Sequence, residues 1–139
     1  MRGVLLVGDD PTNRPTAPLG DDAIAVERAP HEAIFPRAAA IVHHGGVGTL
    51  GQAIRSGRPM LVVPWTHDQP DNARRVVRLG VARELNAGRY HARSAAEELR
   101  TLLDDPSYLV RVEALAEIVR SENGVREACE GIEAAVLES

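Results

Sequence analysis

Short, continuous apolar runs alternate with helix-patterned segments along most of the chain. Val4–Val7 is the first run, closed by Gly8 and followed by a turn-rich stretch to Asp22 with three prolines. Ile24–Val26, Ala38–Val42, Met60–Val63 and Val81–Leu85 follow as further short runs. Continuous rather than alternating apolarity fits strands buried on both faces of a parallel sheet. Between them, the spacing predicts a helix over Thr49–Ser56, stopped by Gly57 and Pro59. A second helix, Asp71–Leu79, carries Ala73, Val76 and Val77 on one face and Arg74, Arg75 and Arg78 on the other. Ser94, with Glu97 and Glu98 close behind, reads as the cap of a third helix whose apolar face is Leu99, Leu102 and Leu103. Asp104–Pro106 breaks it. Two final helices have Leu109, Val112, Ala116 and Val119, then Val125, Cys129, Ile132 and Val136, in step, with Asn123-Gly124 between them. The alternation gives an α/β fold, a doubly wound parallel sheet with C-terminal helices, in one domain over residues 1–139.

Composition narrows the function. The 139 residues suffice for one sizeable core, and 44% hydrophobic with 26% charged residues describes an ordinary globular chain. Aromatics are only 3%, which argues against the stacking platforms of single-stranded nucleic-acid binders. The net charge of −4 gives no broad polyanion-binding surface, although a local anion site is compatible with it. All 16 basic residues are Arg, a bias typical of GC-rich bacterial genomes. The lone Cys129 excludes an intrachain disulfide and a multi-cysteine metal site, and its place on an apolar stripe predicts a buried thiol. No run approaches membrane-spanning length and Val4–Val7 is too short for a signal-peptide core, so a cytoplasmic location is expected.

The strongest chemical signal is Ile41-Val42-His43-His44-Gly45-Gly46-Val47-Gly48-Thr49-Leu50-Gly51. A strand enters a glycine cluster and a helix follows at once. Unpaired N–H groups at the helix start, with the positive end of its dipole, make an anion site. The Thr49 hydroxyl and a His44 ring N–H are further donors. A plain strand–helix turn is the alternative, but such a turn rarely needs four glycines beside two histidines. Gly46–Gly51 also matches the G-x-G-x-x-G pattern of dinucleotide-binding folds, leaving an NAD-binding domain as a competing reading. Against it, the next strand runs into Pro64-Trp65 where a ribose-binding acid is needed, and the pattern falls on the third strand rather than the first.

Two further loops follow strands. In Pro64–Ala73, Asp68 and Gln69 set a carboxylate beside a carboxamide, a pair able to bond several sugar hydroxyls; alternatively Asp68 or Asp71 caps the next helix. In Arg28–Arg37, Pro30 and Pro36 bracket a turn where Arg28 or His31 faces a base ring or simply solvent.

Together these segments resemble glycosyltransferases of the UDP-glycosyltransferase type, with GT-B architecture. The resemblance is carried by Pro30-His31…Phe35-Pro36-Arg37…Val42-His43-His44-Gly45-Gly46-Val47-Gly48-Thr49…Gly57-Arg58-Pro59…Val63-Pro64…Asp68-Gln69…Asn72-Ala73 and covers nearly the whole chain. It is nearest to the bacterial and sterol-glucosylating branches. It implies that His44 and the Gly46, Gly48 and Thr49 backbone hold the donor diphosphate, and that Asp68 and Gln69 grip the transferred sugar. Gln52 stands where many members have a ribose-binding Glu, and His31 and Arg28 stand where plant members sandwich uracil. The implied reaction is metal-independent, inverting transfer of a hexose from a UDP- or TDP-sugar to a hydroxyl, with no cofactor beyond that co-substrate. Relatives carry the catalytic base on an N-terminal acceptor domain and begin the nucleotide domain with one further strand in mid-sheet. Neither is in this sequence, so no catalytic residue is expected here, and five strands are expected where relatives have six. The expected states are therefore a fragment, a truncated product, or a non-catalytic nucleotide-sugar-binding subunit of a split enzyme, partnered by an acceptor-domain chain or by self-association.

Overall fold

The computed structural model describes residues 2–137. Five strands form, β1 (Gly3–Leu6), β2 (Ala23–Val26), β3 (Ile41–His43), β4 (Met60–Val62) and β5 (Ala82–Glu84). The helices are α1 (His31–Ile34), α2 (Val47–Ser56), α3 (Gln69–Arg78), α4 (Ala92–Asp104), α5 (Pro106–Ser121) and α6 (Gly124–Leu137). The strands are all parallel, as the continuous apolar runs predict, but they make two sheets rather than one. One is β1-β2 and the other β3-β4-β5. The resemblance implies a further strand in mid-sheet.

β4 is the buried centre of the second sheet, and its period of two sorts the core into two layers. Met60 and Val62 pack with Ile41, Ala53, Ala73, Val76 and Val112, beneath α2, α3 and α5. Leu61 and Val63 face the other way, with Leu85, Ala95 and Leu99 of the α4 side. An Arg83–Glu98 ion pair ties β5 to α4. Arg55 donates to the Val119 carbonyl (3.2 Å) and Arg120 returns a bond to the Arg55 carbonyl (2.9 Å), joining α2 to α5.

Three expectations need correction. The first sheet is not buried on both faces: all four residues of β1 are exposed, Val4 at 56%. The helices layer onto the second sheet and leave the first uncovered. Cys129 is exposed, because every described residue of α6 faces solvent and its apolar stripe, Val125 at 78% among it, meets no core. Ser94 is not the cap of α4 but its third residue. His91 is the N-cap; its Nδ1 accepts the Ser94 N–H and Ser94 Oγ accepts the His91 N–H, both at 3.3 Å. The reciprocal box forms three residues early because Ala92 and Arg93 are good helix formers. Among the described residues, no helix is long and apolar enough to cross a membrane.

Candidate nucleotide-sugar site

The carboxyl ends of β3 and β4 lie side by side, since His43 pairs with Val62 in parallel register. The loops leaving them are therefore neighbours. Leaving β3, the chain turns at Gly45, whose φ of +92° only glycine adopts readily. A Cβ there would stand 2.9 Å from Val62 Cγ1 and 3.3 Å from the Gln69 carbonyl oxygen, so the turn sits tightly on the start of α3.

α2 begins at Val47, two residues before the predicted Thr49, with Gly46 as an N-cap that has no side chain to bond the helix. Its first intrahelical bond runs from the Leu50 N–H to the Gly46 carbonyl (2.9 Å). The Val47, Gly48 and Thr49 amides precede that bond and have no acceptor within the helix. His44 is exposed and its ring lies over the N-cap, Nε2 only 2.6 Å from where a Gly46 Cβ would be. Around the Cβ position of Gly48, by contrast, nothing of the protein lies within 4 Å. Glycine at 46 thus makes room for a histidine, and glycine at 48 leaves open space beside the helix start. His44, Gly46, Gly48 and Thr49 form one open, donor-rich mouth.

Gln52, one turn further along α2, lies across a shared depression from His31. Both line this open depression of about 320 Å³ with Ala29, Pro30 and Glu32. His31 stacks on Phe35, ring centroids 4.4 Å apart and planes 11° from parallel, which covers one imidazole face. Arg58 steadies this corner by donating from Nε (3.0 Å) and Nη2 (2.7 Å) to the Pro36 carbonyl. Arg28 is not brought to the same depression. It forms an ion pair with Asp9, Nε to Oδ1 at 2.9 Å, and lines a separate hollow with Asp9, Val26 and Glu27.

Asp68 occupies the N-cap position of α3 yet makes no capping bond to the backbone. Its Oδ2 instead accepts from Asn72 Nδ2 at 2.7 Å. Gln69 Oε1 accepts the Trp65 and Thr66 amides (2.9 and 3.2 Å), leaving its NH₂ group as the free end. Asp71 serves the helix, not the loop: Arg75 bonds it (2.6 Å), and that bond first, with the nearby Arg75 and Arg74 charges, holds its carboxyl below the usual range. Among the described residues, no group of three or more His, Cys, Asp or Glu side chains is arranged to hold a metal ion.

Two residues of the motif receive structural tasks that the sequence reading left unassigned. His43 is buried; its Nδ1 accepts the Gly45 N–H at 3.0 Å, and its Nε2 has no partner. Burial first, then the nearby His44 and His31, lowers its pKa to about 4, so the ring is neutral. The signal was available: His43 is two residues from Ile41 on a strand and shares its core-facing side. Asn72 Nδ2 donates to the Gly45 carbonyl (3.0 Å) as well as to Asp68. Its spacing of four from Asp68 puts both on one helical face.

Residues 4–134 match the family model described as erythromycin biosynthesis protein CIII-like, C-terminal domain. The chain is 41% identical over 133 residues to O-mycaminosyltylonolide 6-deoxyallosyltransferase of Streptomyces fradiae, covering 95% of this chain and 30% of that protein. It is 32% identical over 129 residues to a sterol 3-beta-glucosyltransferase of Yarrowia lipolytica, covering 91% of this chain and 8% of that one. Among solved structures, the glycosyltransferase VinC in complex with DTDP superimposes with a TM-score of 0.71 at 35% identity, covering 75% of this chain and 26% of VinC. The chain thus spans less than a third of the length of each of these relatives. It belongs to the GT-B glycosyltransferases, as a nucleotide-sugar donor-binding C-terminal domain of the erythromycin biosynthesis protein CIII-like family.

Proposed function

We propose that this domain holds the donor for an inverting, metal-independent, cytoplasmic hexosyltransferase that moves a hexose from a UDP- or TDP-sugar to an acceptor hydroxyl. The diphosphate rests on the Gly46, Gly48 and Thr49 backbone with His44 donating a ring N–H. Gln52 bonds the ribose. Asp68 and Gln69 hold the sugar through the carboxylate oxygen and the NH₂ group left free of internal bonds. The base lies near His31, on the ring face away from Phe35, and Arg28 reaches it by exchanging its Asp9 partner.

The observation that carries this reading is the coincidence of free α2 amides, the His44 ring over the N-cap and open space at Gly48. As the acceptor oxygen attacks the anomeric carbon, the electron pair of the breaking bond passes to the diphosphate oxygen. Oriented N–H dipoles then stabilise the growing charge without reorganising. The base that takes the acceptor's proton belongs to an acceptor domain outside these 139 residues. The chain is accordingly a single donor unit that needs a partner domain, on the same polypeptide, on a separate acceptor-type chain, or beside a second copy. The unpaired edges of β1 and β3 support such a partnership, because each pairs on one side only.

A thermal-shift panel tests the proposal. UDP or TDP should raise the melting temperature and NAD should not, and the chain alone should transfer no labelled sugar. Protection by NAD without UDP or TDP, or turnover by the chain alone, would contradict it.

A further inference from the structure

Gly45 is held from both sides by side chains to which the donor reading gives no task. His43 Nδ1 accepts its N–H and Asn72 Nδ2 donates to its carbonyl, each at 3.0 Å. Because a peptide unit is planar, these two bonds fix two successive planes. The plane held by His43 contains the His44 carbonyl. The plane held by Asn72 contains the Gly46 N–H, the amide that leads into the free amides of α2. Without such restraint a glycine turn samples many conformations, and its amides would have to be ordered by the ligand.

Both restraints are fully committed. Nδ1 can accept only in the tautomer with the proton on Nε2, and that buried N–H has no partner. Leaving it unpaired costs stability. The lowered pKa of His43 keeps the ring in the accepting state. Asn72 divides its NH₂ group between the Gly45 carbonyl and Asp68 Oδ2, so one side chain links the turn after β3 to the acid after β4.

We propose that His43 and Asn72 are positioning residues of the donor site, clamping Gly45 so that the diphosphate-binding amides and Asp68 are set as one unit before the ligand arrives. This rests on the donor reading above. Neither residue is required to touch the ligand.

The test is calorimetric titration of TDP into the wild-type chain and into His43→Leu, His43→Asn and Asn72→Asp variants, with melting temperatures alongside. His43→Leu removes the acceptor, whereas His43→Asn sets Oδ1 close to the place of Nδ1. Asn72→Asp keeps the shape and turns the donor into an acceptor facing a carbonyl and a carboxylate. The expected result is TDP binding weakened about tenfold or more in His43→Leu and Asn72→Asp, and restored in His43→Asn. If His43→Leu does not fold, the contrast between Asn72→Asp and His43→Asn carries the test. Wild-type affinity in folded Asn72→Asp, or a His43→Asn chain that melts as wild type yet binds as weakly as Asn72→Asp, would overturn the clamp alone. Failure of the wild-type chain to bind TDP would overturn the donor reading and the clamp with it.

Discussion

Glycines 46 and 48 look alike in the motif but meet different surroundings, and a methyl group tells them apart. At Gly48 it would touch nothing of the free protein, and the position is helical. Gly48→Ala should therefore keep or raise stability, by up to about 1 kcal/mol from helix propensity, while weakening TDP binding. Chemical denaturation and calorimetry on one sample separate the two effects. At Gly46 a methyl would displace the His44 ring, so Gly46→Ala should mimic His44→Ala. Each should weaken TDP binding roughly tenfold, as expected for loss of a hydrogen bond to a charged group. His43 gives a pH dependence. Its pKa is about 4 folded against an ordinary 6.5, so below pH 6.5 the unfolded chain takes up a proton that the folded chain refuses. Its contribution to stability is present above pH 6.5 and is lost as pH falls towards 4, amounting to about 3 kcal/mol. Urea unfolding at pH 7 and pH 4.5 should show a smaller difference in His43→Asn than in wild type.

At the scale of elements, the strands and helices were legible because each apolar run carries one period only. Met60–Val63 reads as a strand buried on both faces, and β4 is that. The same signature misleads at Val4–Val7, since the pattern records what a strand can bury and not whether a layer covers it. Cys129 fails for the same reason: a correct stripe on a helix that meets no core. Burial should decide energetic consequences accordingly. Leu61→Ala in β4 should cost roughly 2–5 kcal/mol, whereas removal of residues 124–139 should leave the melting temperature nearly unchanged. A thiol reagent should modify Cys129 in the native chain at the rate of a free cysteine; marked protection would show that α6 has a covering partner. The candidate site was legible as sequence clusters around His44, Asp68 and His31. Their coupling was not, because the contact of Asn72 with Gly45 spans 27 positions and depends on the register of β3 with β4.

At the scale of the molecule, the described strands divide into two sheets of unequal support. The three-stranded sheet carries His44, Gly46–Thr49, Gln52, Asp68 and Gln69 at its carboxyl edge, with the best-buried core beneath them. The β1-β2 pair is exposed and carries Arg28 just beyond its end. The proposed diphosphate and sugar contacts therefore rest on the firmest part of the fold, while Arg28 rests on the least supported part. UDP and TDP should consequently bind with similar affinity, and replacing Arg28 with Ala should weaken either one less than His44→Ala does. The central claim is that main-chain amides at the start of α2 receive the diphosphate. It is tested most directly by titrating TDP into the ¹⁵N-labelled chain and following each amide resonance. The account predicts the largest shifts at Gly46, Val47, Gly48 and Thr49, with smaller ones near His31 and Gln52. Saturable binding that leaves those four amides unmoved while others shift would contradict it.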